Sequence, residues 1–346
     1  MNNVAPLRRR RKMQGVTMTD VARAARVSPS TVSLYLRKPD LVSPLVGAEI
    51  ARVVEQLGYV PNLVAGGLAA AGSRVVSIIV PSIRNAFFAD TVSVLQEKLT
   101  GSGLQLMLGN TEYSATAEEA LVRAALSWSP AALVVVGLEH NQATRRMLLG
   151  TDVPVFEIWE CGQDPVDTAV GFHHREVGLA AAHHLLERGR TRLAFLGARM
   201  QEDRRAQQRA AGFVQGVAGR GAAAPTMLDD PGPATTEVGG RLLAEALASH
   251  PELDGIACSN DLVALGAIFE CQRRGIAIPR QLAIIGFGDL AFSATCVPPM
   301  TTIRPPGEEI GRRIAVLIED RMHGALRPAR PLALDLGFSL VIRGTT

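Results

Sequence analysis

From Arg74 onward the chain alternates strand-length apolar runs with amphipathic segments, a pattern that few architectures accommodate. Residues 75–80, 104–108, 133–136 and 153–158 read as strands, and Phe88, Val92, Leu95 and Leu99 fall on one face of a helix between the first two. A second set follows at 193–197, 255–258 and 282–287. Strands alternating with helices imply doubly wound parallel sheets, and two such sets imply two lobes facing each other across a cleft. In α/β sheets, ligands bind beyond the carboxyl ends of the strands. The longest apolar runs are too short to span a bilayer, and no apolar stretch follows the charged N-terminus, so neither membrane insertion nor export is expected.

The first sixty residues follow different rules. Thr17 and Asp20 have capping-box spacing, which starts a helix. Ser28-Pro29 places an N-cap serine before a proline at the first helical position, and Ser43-Pro44 repeats the device. After Ser43, Val46, Ile50, Val53 and Leu57 share one helical face until Gly58 ends the run. Two short helices joined by a tight turn and backed by a third form a helix-turn-helix unit. Charge points the same way. Residues 1–65 hold ten Lys/Arg against four acids, a net +6, while the remainder carries −3. A basic head on a faintly acidic body suits a polyanion-binding module attached to a neutral partner domain.

The 346 residues therefore divide into a basic disordered tail (1–15), an all-α helix-turn-helix domain (16–61), a linker (62–73) rich in small residues, and a two-lobed α/β body (74–346). Several chemistries are not supported. No G-x-G-x-x-G follows the first strand and no phosphate loop is present, so no cofactor is expected. Cys161, Cys258, Cys271 and Cys296 are scattered and read as reduced thiols of a cytosolic protein. His173-His174 and His183-His184 lack a ligand set at zinc spacing, so no metal is expected, and they read as helix and loop surface. Glu118-Glu119 and Glu202-Asp203 likewise read as helix-surface charge rather than catalytic carboxylates, and the chain is not expected to be an enzyme.

The run VTMTDVARAARVSPSTVS at 16–33, with Val42-Ser43 and LGYVPN at 57–62, resembles the head of the lac repressor family. The resemblance extends through PSIRNAFFA (81–89), RAAGF (209–213), SNDLVALG (259–266) and PMTTIR (299–304). It therefore covers the chain from about Val16 to the C-terminus, with lobes of the periplasmic-binding-protein type implied. Within that family, LSWS (126–129), AVGF (169–172), FLGAR (195–199), FECQRRG (269–275) and DLGFSL (335–340) look like gluconate-utilisation repressors.

The resemblance implies that Pro29, Ser30 and Leu34 read bases, while Thr17, Thr19, Ser28, Ser33, Ser43 and Tyr59 grip the DNA backbone. Relatives usually carry Arg at the Leu34 position, so a bidentate guanine contact is missing, and Gly at the Arg26 position. The linker becomes a hinge, with Asn62, Ala65 and Leu68 at DNA-contacting positions and Leu68 as a minor-groove wedge. Gly66 and Gly67 weaken a helix there, so the hinge is expected to be disordered without DNA. In the body, Arg209 would be the cleft guanidinium and Asn260 an amide for ligand hydroxyls. Ser82, Phe87 and Phe88 would line the N-terminal lobe, and Glu157 or Trp159 the mouth.

At Gly288-Asp289, relatives that bind neutral sugars often have two aspartates, and losing one removes a repulsion against an anion. The implied function is a cytoplasmic repressor that binds operator DNA as a homodimer and is controlled by a small molecule, a sugar acid such as gluconate. The chain ends soon after the last strand with no heptad tail for a tetramer. Rival readings are a neutral or phosphorylated sugar or a partner protein as effector, a solute-binding transport protein, and a sugar-processing enzyme.

Overall fold

Local capping chemistry sets the head. In this computed structural model, which describes residues 16–60, 73–83 and 87–346, α1 spans Met18–Ala24. The Thr17 hydroxyl accepts from the Asp20 amide, and the Asp20 carboxylate accepts from the Thr17 amide at 2.9 Å, a complete capping box. Helix α2 spans Pro29–Arg37, with Ser28 Oγ accepting from the Thr31 amide, and α3 spans Pro44–Leu57, ended by left-handed Gly58. Ser43 precedes Pro44 but makes no side-chain cap, so proline alone marks that start. Val21, Ala22, Ala25, Val32, Ile50, Val53 and Tyr59 form the buried core of the three helices. The basic tail, and the hinge with Asn62, Ala65 and Leu68, lie outside the described residues.

The body, Arg74–Thr346, is a unit separate from the head. Its N-terminal lobe runs β1 (Val75–Val80), α4 (Phe87–Gly101), β2 (Gln105–Asn110), α5 (Ala115–Ser127), β3 (Ala132–Val136), α6 (Gln142–Leu149), β4 (Val155–Ile158) and β5 (Thr168–Gly171). The C-terminal lobe runs α7 (His174–Glu187), β6 (Leu193–Ala198), α8 (Arg204–Gly219), β7 (Thr226–Asp230), α9 (Thr236–Ser249), β8 (Gly255–Cys258), α10 (Asp261–Arg274), β9 (Ala283–Phe287) and β10 (Thr301–Arg304). Helix α11 (Gly307–Met322) returns to pack on α4, and β11 (Leu332–Asp335) joins the first sheet beside β5. Strand β12 (Ser339–Val341) then closes the second sheet, antiparallel to β10.

The sheets are six-stranded, ordered β11-β5-β4-β3-β1-β2 and β12-β10-β9-β8-β6-β7, and every pairing except β10 with β12 is parallel. The seven strands expected from apolar runs all form. Strands β5, β7, β10, β11 and β12 were not expected: threonines interrupt β5 and β10, and β7, β11 and β12 are partly exposed edge strands. The chain passes between lobes three times, after β5, β10 and β11, which makes their junction a three-stranded hinge.

Arg26, in the turn between α1 and α2, has φ +54°, the left-handed conformation that favours glycine. Arg26→Gly is therefore expected to stabilise the head by about 1 kcal/mol. Hydrogen exchange at α1 and α2 amides of the full chain checks it, with slower exchange expected; unchanged or faster exchange would refute the strain.

Candidate effector cleft and DNA-reading head

Close helix packing decides where the buried cation of the lobe junction sits. Helices α7 and α8 touch through glycines: a Cβ on Gly178 would lie 1.9 Å from the Arg209 carbonyl oxygen, and one on Gly212 would lie 2.0 Å from that of Arg175. This contact brings Arg209, on α8, against His174 at the start of α7. Arg209 Nη1 donates to His174 Nδ1 at 3.0 Å, and Nη2 donates to the Ser259 carbonyl at 3.0 Å. The guanidinium also lies over the Phe287 ring, 4.1 Å from its centroid. Among the described residues Arg209 has no carboxylate partner, and both its buried Nε and the neighbouring Ser259 Oγ lack a hydrogen bond.

The tautomer of His174 follows from its other contact. Its Nε2 is 2.8 Å from the Trp159 carbonyl, which can only accept, so Nε2 carries the proton and Nδ1 offers its lone pair to Arg209. Burial, reinforced by the charges of Arg209 and Arg205, holds His174 well below the ordinary histidine range, so it is neutral. Burial also lowers the Arg209 pKa to about 10, which leaves it a cation at neutral pH.

An aromatic wall crosses the lobe junction beside this pair. Phe172, in the first crossing, lies 6.0 Å from Trp159, 4.4 Å from His174 and 6.2 Å from Phe287, ring centre to ring centre. Phe88 meets Trp159 edge-on at 4.9 Å. Phe87, from the N-terminal lobe, sits 5.8 Å from Phe287 of the other lobe. It occupies the space beside Gly288, where a Cβ would come within 2.1 Å of its ring.

An open cleft of about 300 Å³ lies at the carboxyl ends of β1, β2 and β3, facing the N-terminus of α8. Tyr113, Glu118, His140, Glu160, Glu202 and Arg205 are among its lining residues. At its floor, buried His140 contacts Glu118 Oε1 through Nδ1 at 2.7 Å and Glu157 Oε1 through Nε2 at 3.4 Å. Burial opposes a charge there, but the two carboxylates outweigh it and push the His140 pKa up to about 9.

Several expected positions need correction. Glu157 is fully buried on the opposite face of the sheet from Phe156 and Ile158, held by His140 and the Val166 amide, and does not reach the cleft mouth. Asp289 is not a free cleft acid, because Arg304 Nε (2.6 Å) and Arg343 Nη2 (2.7 Å) hold its two oxygens. Gly288 acts first through space, by admitting Phe87. His174 and His184 are buried rather than surface, and Glu118 is an ion-pair partner rather than plain surface charge.

Other positions cluster at the lobe junction. Trp159 and Phe88 are buried there, Trp159 Nε1 donating to Thr91 Oγ1 at 3.1 Å, and Ser82 is buried after β1. Asn260 caps α10 through Oδ1, which accepts from the Val263 amide at 3.1 Å. Composition and spacing did not single out Arg205, Glu160 or Gln208, and they weighed His174 only as a metal ligand or surface residue. One signal was available: Arg205 lies four residues before Arg209, on the same helical face.

In the head, Thr17, Thr19, Ser28, Pro29, Ser30 and Ser43 are exposed, Ser33 and Leu34 are half-buried, and Tyr59 is buried in the core. The exposed set includes the N-terminal turn of α2, the end that a recognition helix presents to base edges.

Residues 17–62 match the family model for bacterial regulatory proteins, lacI family, and residues 182–346 match a periplasmic binding protein-like domain. The HTH-type transcriptional regulator GntR of Pseudomonas aeruginosa is 38% identical over 331 residues, covering 95% of both chains. This chain belongs to the lacI family. A lacI-family regulator from Silicibacter pomeroyi superposes with a TM-score of 0.89 at 32% identity, covering 95% of this chain and 99% of that one. The lac repressor dimer bound to operator and an anti-inducer shares the fold at a TM-score of 0.81 and 21% identity, covering 96% and 99%. As a lacI-family member the protein is a transcriptional regulator with a helix-turn-helix head. Among the described residues, no helix is long and apolar enough to cross a membrane, and no group of three or more His, Cys, Asp or Glu could hold a metal ion.

The His140 triad of this lacI-family body gives a pH prediction. Because its folded pKa is raised from 6.5 to about 9, its stabilising contribution is complete below about pH 6.5 and is lost as pH rises through about 9. The melting temperature is therefore expected to fall between pH 7 and pH 10, and less steeply in His140→Gln. Equal slopes for both proteins would contradict the triad.

Proposed function

We propose that this regulator is a repressor that grips a dyad-symmetric operator as a homodimer and is controlled by a sugar acid bound between its lobes. The observation that carries the acid is the Arg209 guanidinium, buried against neutral partners with its Nε unpaired. A buried cation without a carboxylate is costly unless an anion completes it, and a planar fork suits a carboxylate. Arg205, one turn earlier on α8, adds a second cation to the same region. Asn260, whose Oδ1 is committed to its helix, keeps its amide N–H groups for ligand hydroxyls.

A dimer and an operator are supported by the exposed α2 turn and by the fold shared with the operator-bound lac repressor dimer. An acid that bridges the lobes would bias their three-stranded hinge, and through it the spacing of two heads. The protein then binds its effector without turning it over, in the cytoplasm, where the DNA is.

A thermal-shift series tests the effector class. Aldonic acids are expected to raise the melting temperature, with about 2.7 kcal/mol of stabilisation at a hundredfold excess over Kd, whereas neutral sugars leave it unchanged. Arg209→Lys is expected to weaken acid binding at least tenfold, because a point charge replaces a fork. A neutral sugar that stabilises the protein while acids do not would reverse the assignment.

A further inference from the structure

Arg205 and Glu160 face each other across a gap with no side chain in it. Gly137, just after β3 and at φ +93°, stands between them: a Cβ there would lie 3.0 Å from Arg205 Nη1 and 3.4 Å from Glu160 Oε2. Both residues line the open cleft, and both are more than nine-tenths buried or close to it. Despite this proximity they make no ion pair. Among the described residues the one ion-pair contact of the Arg205 guanidinium is to Asp203 Oδ1 at 3.5 Å, an oxygen already accepting from two amides at the start of α8. Glu160 is held by neutral donors: Gln208 Nε2 at 2.6 Å on Oε1 and the Leu138 amide at 3.2 Å on Oε2. A carboxylate has about four acceptor positions, so each oxygen retains one. Gln208 belongs to α8 and Glu160 follows β4, so their hydrogen bond already joins the two lobes.

The gap thus presents a donor-only cation beside an acceptor-only anion. We propose that Arg205 and Glu160 read an α-hydroxy carboxylate, with a carboxylate oxygen accepting from the Arg205 guanidinium and the neighbouring 2-hydroxyl donating to Glu160 Oε2. This deepens the sugar-acid reading and rests on it. An aldonic acid carries these two groups on adjacent carbons. A 2-keto acid turns an acceptor toward Glu160, and a uronic acid in its ring form places the ring oxygen there, so both set oxygen lone pairs against a carboxylate. A 2-deoxy acid offers no donor at that carbon, and a neutral sugar offers the cation only uncharged acceptors. Glu160 and Arg205 are therefore specificity-determining residues, with Arg209 deeper on the same helix face.

Isothermal titration of the full chain with D-gluconate, 2-deoxy-D-gluconate, 2-keto-D-gluconate and D-glucuronate tests this, in wild type and in Glu160→Gln. D-Gluconate is expected to bind wild type at least tenfold more tightly than each of the other three, the discrimination that one charged hydrogen bond supplies. E160Q removes the charge that repels a keto oxygen, so the preference for D-gluconate over 2-keto-D-gluconate is expected to fall at least tenfold. If D-gluconate binds wild type and the 2-deoxy acid binds within tenfold of it, the assignment of Arg205 and Glu160 is overturned while the sugar-acid reading stands. If none of the four binds, the sugar-acid reading falls and takes this assignment with it. Should E160Q fail to fold, the wild-type series decides alone.

Discussion

A guanidinium buried with no carboxylate in contact, Arg209, sets the packing of the lobe junction. Arg209 could not sit where it does in an apolar core, because an unpaired buried charge costs several kcal/mol even after relaxation. Its surroundings offset part of that cost with neutral chemistry: the lone pair of a histidine locked in one tautomer, the Ser259 carbonyl, and the face of Phe287. These partners leave the positive charge uncancelled. A protein that needed only stability would place a carboxylate there; one that must respond to an anion keeps the charge available.

The rest of the lobe junction holds this cation in place. Gly178 and Gly212 let α7 and α8 approach closely enough for His174 to reach Arg209. His174 also grips the Trp159 carbonyl of the opposite lobe, so the same imidazole touches the charge and the junction. Phe172, in the first crossing strand, packs between Trp159 and Phe287, and Phe87 leans across onto Phe287 and Gly288. A ligand that draws on Arg209 therefore acts on side chains that join the lobes. Coupling through such a junction needs only a differential contact between two lobe arrangements.

Much of this was legible in the residues. Capping chemistry located the starts of α1 and α2, because the hydroxyl or carboxylate that caps a helix lies next to it in sequence. Apolar runs located β1, β3, β4, β6, β8 and β9, all inner strands, because a strand covered on both faces has no polar alternation, and also the edge strand β2; the inner strands β5 and β10 escaped because threonines interrupt their apolar residues. That same property hid the direction of Glu157, since β4 is buried on both sides and its parity gives no signal. Asp289 was misread because its partners, Arg304 and Arg343, arrive from strand β10 and the C-terminal segment, 15 residues away in the first case. Strands β11 and β12 were silent because they are short, partly exposed and paired with strands far back in the chain. His174 read as surface because a histidine pair carries no hydrophobic pattern, and its burial comes from helices that meet only in three dimensions.

The physical claim underneath all of this is that charge balance in the cleft sets the grip of the head on DNA. Fluorescence anisotropy tests it directly, using a dyad-symmetric duplex that the protein itself selects from a randomised pool, titrated at physiological ionic strength with and without saturating D-gluconate. The apparent Kd is expected to change by about 5-fold to 150-fold when the acid is present. A Kd that stays the same while calorimetry shows the cleft occupied would contradict the coupling, and failure to prefer any dyad-symmetric duplex would contradict the reading head itself.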